Sequence, residues 1–294
     1  MDPNRLRGSL PALVTPLTPD RQVHEDDLEA LIGLAIADGA SGVLVAGSTG
    51  EGSLLEPDQR VQLTRRARAA TDATVVAGAS GATVEALDAD VERLVEAGAD
   101  LVLVLAPNTY LLSPEELRDL HLGVAERTTA ATLLYHIPQL TGSALTAEAV
   151  RELADHPRIG GMKDSSPDAG RRRDFIEVTR DVEGFEVLTG HAPTLLAALE
   201  DGASGSITAL ANLRQRQIVA LHAAVQDGDT AEASRLQAAL SRFAESLVAV
   251  GSSMPATLKA ALQLDGVVTE RWCRPPLRSV PPGRLDHVRT ALMR

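Results

Sequence analysis

Ala97-Gly98-Ala99-Asp100-Leu101-Val102-Leu103-Val104 holds a helix stop and a buried strand within one short stretch. Glycine ends a helix because it adopts the left-handed backbone conformation that side chains resist. The Leu-Val-Leu-Val run that follows offers no polar residue to water, so both its faces must be covered, as in a parallel sheet. Outward from here the same unit recurs. Apolar runs predict strands at Leu10–Val14, Gly42–Ala46, Thr74–Ala77, Ala131–Tyr135, Ile159–Lys163, Phe185–Leu188 and Gly205–Thr208, which with Asp100–Val104 makes eight. Their starts lie roughly 30 residues apart, the length of one strand–helix unit, with a shorter last step. Glu56-Pro57 and Ser113-Pro114-Glu115-Glu116 mark helix starts, where proline and acids fit the first turn. Beyond the eighth strand, from about Asn212 to Arg294, the pattern is helical.

The expected fold class is therefore α/β, a (β/α)8 TIM barrel with a C-terminal helical extension. Residues 1–210 form the barrel core, and residues 211–294 the eighth barrel helix and the extension of the same domain. A doubly wound open sheet competes, but eight units and no dinucleotide fingerprint favour the barrel.

Composition narrows the function. The 294 residues are 44% hydrophobic with a net charge of −12, which argues against a nucleic-acid binder. The one dense basic run, Arg171-Arg172-Arg173, reads as a solvated helix face. No apolar stretch is long enough to span a membrane, and the N-terminus lacks a signal-peptide core, so the expected location is the cytoplasm. The single cysteine, Cys273, reads as structural. Of 28 basic residues only Lys163 and Lys259 are lysine. A chain that uses arginine almost everywhere keeps lysine where an amine is needed, and nucleophilic chemistry is the leading such need.

A barrel carries its active site at the C-terminal ends of its strands. Lys163 ends the sixth, where a charged amine is costly and a neutral one can attack a ketone to form an iminium. A structural ion pair with Asp164 is the competing reading. Tyr135 ends the neighbouring strand and can relay protons if both side chains point inward. Gly47-Ser48-Thr49-Gly50-Glu51-Gly52 offers backbone N–H groups and two hydroxyls to a small carboxylate, though a plain tight turn would look the same. His136 and His191 also sit at strand ends, but no metal-ligand spacing accompanies them. A metal-dependent aldolase is the weaker alternative, and no cofactor beyond the imine on Lys163 is expected.

At these residues the chain resembles the dihydrodipicolinate synthase and N-acetylneuraminate lyase superfamily of pyruvate-dependent class I aldolases. The resemblance runs through Pro11-Ala12-Leu13-Val14-Thr15-Pro16, the Gly47–Glu51 loop, Tyr135-His136-Ile137-Pro138, Gly161-Met162-Lys163-Asp164-Ser165 and Arg274-Pro275-Pro276-Leu277. It implies that Lys163 is the Schiff-base lysine, Tyr135 the proton relay and Ser48 a hydroxyl linking that relay to solvent. It further implies that Ser48, Thr49, Gly50 and Ile207 meet the substrate, a 2-oxo acid with an aldehyde partner. It implies a homo-oligomer too, a tetramer. Tyr110 falls one position later than the tyrosine the family donates across a subunit boundary, and Leu140 stands where synthases using aspartate semialdehyde carry arginine. The latter departure disfavours dihydrodipicolinate synthesis. The segments around Lys163 and Ser206–Asn212 look closer to 4-hydroxy-2-oxoglutarate and 2-oxo-3-deoxy acid aldolases. A dehydratase using the same imine, or a barrel that binds a small acid without turnover, are the alternatives.

Overall fold

A computed structural model describes residues 6–293. In chain order the elements are β1 Gly8–Pro11, α1 Glu25–Ala37, β2 Gly42–Val45, α2 Pro57–Ala70, β3 Thr74–Ser80, α3 Val84–Glu96, β4 Leu101–Leu105 and α4 Pro114–Arg127. They continue with β5 Ala131–His136, α5 Pro138–Thr141, α6 Ala147–Ala154, β6 Ile159–Asp164, α7 Ala169–Thr179, β7 Glu186–Thr189, α8 Leu195–Asp201 and β8 Gly205–Thr208. Four helices follow: α9 Ala211–Gln226, α10 Thr230–Val248, α11 Met254–Leu264 and α12 Leu285–Leu292.

The strands pair in parallel, each with its successor, and β1 returns to β8. A bridge between Ala12 and Leu44 joins β1 to β2, closing the eight strands into a TIM barrel. The first strand lies earlier than expected, at Gly8–Pro11 rather than Leu10–Val14. Its successors leave the ladder because they have other partners: Leu13 N donates to Leu44 O, and Val14 N to the Asn212 side chain. One core cluster, including Leu10, Leu44, Val76, Leu103, Leu133, Tyr135, Leu188 and Ile207, contains no residue of the α-helices and fills the barrel interior. Two others join outward-facing strand residues to helices, and the larger one also takes in Leu240 and Phe243 of α10 and Leu258 of α11. Thus the extension shares its core with the barrel. Against β5, strand β6 carries one extra residue: Thr132 lies opposite Ile159, but Leu133 opposite Gly161. Gly161 passes so close to β7 that an added Cβ would lie 2.2 Å from Glu186 O.

Helix starts follow the punctuation in the sequence. Ser113 caps α4 by accepting from Glu116 N, with a reciprocal bond from the glutamate, and α2 begins with Pro57 behind a Glu56–Gln59 capping box. The reading of Arg171–Arg173 is corrected at its middle residue. Arg172 is fully buried, with Nη1 donating to Thr194 Oγ1 at 3.2 Å and Nη2 3.7 Å from Asp201. Arg172 stands three, four and seven residues before the buried Phe175, Ile176 and Thr179, so it lies on the inward face of α7 while its two neighbours do not.

His121 and His222 are buried, and desolvation lowers each to a pKa of about 4. Between that value and the unfolded one near 6.5 the unfolded chain binds more protons. Their contribution, up to about 3 kcal/mol each, is therefore complete above pH 6.5 and lost as pH falls towards 4. Denaturant unfolding from pH 7 to 4.5 should show His121→Leu losing less stability over that range than the wild type. Parallel curves would contradict the burial of a neutral imidazole.

Candidate active site

Parallel register sets Tyr135 of β5 beside Lys163 of β6, and both side chains turn into the barrel. Lys163 is 3% exposed and its Nζ donates to Tyr135 Oη at 3.4 Å, lying 4.6 Å from the centroid of the phenol ring. Thus the convergence that the sequence made conditional on orientation is present. Gly190, just beyond β7, leaves room for the amine: a Cβ there would lie 2.9 Å from Lys163 Cε and 2.0 Å from Ser165 Oγ. Ser165 was not among the expected site residues. Its signal was available, since it stands two residues beyond Lys163 and so on the same side of an extended chain.

The Gly47–Gly52 loop follows β2. Ser48 and Thr49 are partly exposed, and Ser48 lines a small cavity together with Gly47, Ser80, Leu103, Leu105 and Tyr135. Thr15 Oγ1 donates to Gly50 O at 2.6 Å, and Arg60, bidentate to Asp90, also donates to Gly52 O at 3.0 Å. Two non-glycine residues in the left-handed region bracket the loop, Ala46 at φ 54° and Glu51 at φ 61°. Such conformations cost about 1–2 kcal/mol each and persist where surrounding contacts enforce them. The Glu51 carboxylate points away from the cavity: one oxygen contacts the Lys259 ammonium and the other accepts from Arg274 N at 2.6 Å.

The remaining candidates are not gathered at the amine. His136 lies on the outer side of β5, where Nδ1 meets Asp164 Oδ1 at 2.7 Å and the ring packs edge-on against Phe175. Asp164 is fully buried and also accepts from Ser166 N and Oγ, so it is saturated without Lys163. His191 is half-buried, with Nδ1 against Thr194 Oγ1 at 3.0 Å; burial, then the nearby Arg172 charge, lowers its pKa. Ile207 is fully buried in the interior cluster with Tyr135. Tyr110 and Leu140 are 78% and 60% exposed. The loop that carries Tyr110 touches the segment following α5, the helix of Leu140, since Leu112 N donates to Ser143 Oγ at 2.7 Å. Among the described residues, no three His, Cys, Asp or Glu side chains are grouped as a metal site needs, and no helix is long and apolar enough to cross a membrane.

Comparison with known proteins agrees with this geometry. The sequence profile of the Dihydrodipicolinate synthetase family matches residues 5–294. A 4-hydroxy-tetrahydrodipicolinate synthase of Natronomonas pharaonis is 29% identical over 287 residues, covering 97% of this chain and 96% of that one. Among solved structures, a monomeric dihydrodipicolinate synthase variant superposes with a TM-score of 0.93 at 26% identity, covering 100% and 98% of the two chains. YagE, a prophage protein of this family from E. coli K12 solved with pyruvate, gives 0.91 at 28% identity, covering 98% and 97%. A match along nearly the whole length, on the same barrel, places this enzyme in the Dihydrodipicolinate synthetase family, whose members are pyruvate-dependent class I lyases and aldolases.

Proposed function

We propose that this enzyme joins pyruvate reversibly to an uncharged aldehyde, as a 2-oxo-3-deoxy acid aldolase does, through an imine on Lys163. The observation that carries the reading is the buried amine held 3.4 Å from a phenol inside the barrel. In the cleavage direction the neutral amine adds to the 2-oxo carbon and the carbinolamine loses water to give the iminium. Tyr135 Oη takes the proton of the substrate's 4-hydroxyl as it passes its own proton through the Ser48 hydroxyl to solvent. The C3–C4 bond then breaks, its electron pair passing to the iminium as an enamine, and the aldehyde leaves. Reprotonation at C3 and hydrolysis release pyruvate and restore the amine. The loop hydroxyls of Ser48 and Thr49 and the N–H of Gly50 hold the carboxylate, and Ile207 packs against the substrate. Leu140 gives the acceptor side no guanidinium, which favours a partner without a second carboxylate over aspartate semialdehyde. The chemistry needs no cofactor.

Borohydride in the presence of pyruvate should leave a reduced pyruvyl group on the Lys163 peptide. Wild-type enzyme should release pyruvate from 2-oxo-3-deoxy sugar acids and condense pyruvate with aspartate semialdehyde at least tenfold less efficiently. An unmodified Lys163 peptide with activity lost to a chelator would overturn the imine. Robust condensation with aspartate semialdehyde would overturn the acceptor assignment instead.

A second copy of this chain is the partner proposed for the exposed Tyr110, Leu111 and Leu140 side chains, in a homo-oligomer, a tetramer as the family resemblance implies. Light scattering at micromolar concentration should give a multiple of the 30.9 kDa chain mass. A monomer, as in the structural neighbour named above, would refute it.

A further inference from the structure

The second lysine of the chain has a place as distinctive as the first. Lys259 lies on α11, and its side chain and that of Glu51 are both 0% exposed and in contact. The ammonium also donates to Trp272 O at 2.7 Å, and Glu51 accepts from Arg274 N, so the pair ties the Gly47–Gly52 loop to the C-terminal extension. A buried ion pair is a poor stability device, because loss of hydration offsets most of the attraction. Its better-attested use is to single out one arrangement of the backbone. Here there is an arrangement in need of it: of three non-glycine residues at positive φ among those described, two bracket this loop, and Glu51 is one of them.

We propose that the Glu51–Lys259 pair is a positioning device that holds the loop in the one conformation in which its N–H groups and hydroxyls face the carboxylate of the 2-oxo acid. The proposal rests on reading that loop as the carboxylate cradle. Neither residue touches substrate; both act through the backbone of residues 48–50. A single replacement leaves a buried charge unpaired and endangers folding, so the decisive variant is the double one, Glu51→Gln with Lys259→Met, which removes both charges. It should fold, and borohydride should still trap pyruvate on Lys163. The pyruvate concentration for half-maximal trapping should rise tenfold or more, by a larger factor than any fall in the maximal trapping rate. Amides of residues 47–52 should exchange with solvent at least tenfold faster in the absence of ligand. A folded double variant with half-saturation within twofold of wild type and unchanged exchange would overturn the proposal. If wild-type enzyme gives no adduct at all, the imine reading falls, and the exchange result alone decides for or against the pair.

Discussion

Lys163→Arg should keep the fold and the positive charge yet reduce turnover to background. The guanidinium stays protonated under all accessible conditions, so it has no lone pair to offer a ketone. Without the imine there is no electron sink, and every later step is lost with it. Tyr135→Phe should slow the reaction by roughly 10² to 10⁴-fold, the usual size of a general acid–base contribution, while the adduct with pyruvate still forms. The two changes together should cost little more than Lys163→Arg alone, since a relay has nothing to serve once the nucleophile is gone. Steady-state assays with borohydride trapping on the three variants check this. Turnover by Lys163→Arg above one part in a thousand would remove that residue from the chemistry.

Gly190→Ala should cost about 10²-fold in turnover, the scale of a displacement of roughly 1 Å at a reacting group. Its methyl would stand 2.9 Å from Lys163 Cε and 2.0 Å from Ser165 Oγ, and both are ends of side chains that can move. The fold therefore survives, and the amine swings away from the phenol. Adding Ser165→Ala removes the nearer obstruction and should recover part of the activity. Turnover by Gly190→Ala within threefold of wild type would show that the amine tolerates the shift.

Much of the fold was legible because its signals are local. Leu101–Val104 needs cover on both faces whatever surrounds it, and Ser113-Pro114-Glu115-Glu116 carries its own cap. The limits of β1 were not legible, because the residue that withdraws Val14 from the ladder is Asn212, at the other end of the barrel sequence. Lys163 and Tyr135 could be singled out as strand-end residues with reactive groups. The partners of Arg172 and Glu51 could not, since an arginine in a basic run or a glutamate in a glycine-rich loop looks solvated until the distant Asp201 or Lys259 is brought against it. His136 shows the reverse difficulty: adjacency to Tyr135 in sequence places it on the opposite face of the same strand.

The odd residue in β6 makes the position of the amine a matter of counting. From the level of Thr132 and Ile159, three steps along β5 reach Tyr135, but β6 needs four to reach Lys163. Strict alternation from Ile159 would turn Met162 into the barrel and Lys163 out among the helices. The glycine pair Gly160-Gly161 absorbs the extra step, so the phase of the strand reverses just before the lysine. A β6 that kept both glycines but paired without the bulge would have the same composition and every reactive residue, yet present a thioether to the substrate and turn its amine out among the helices. In this barrel, the bulge in a strand is as much a part of the catalyst as the lysine that follows it.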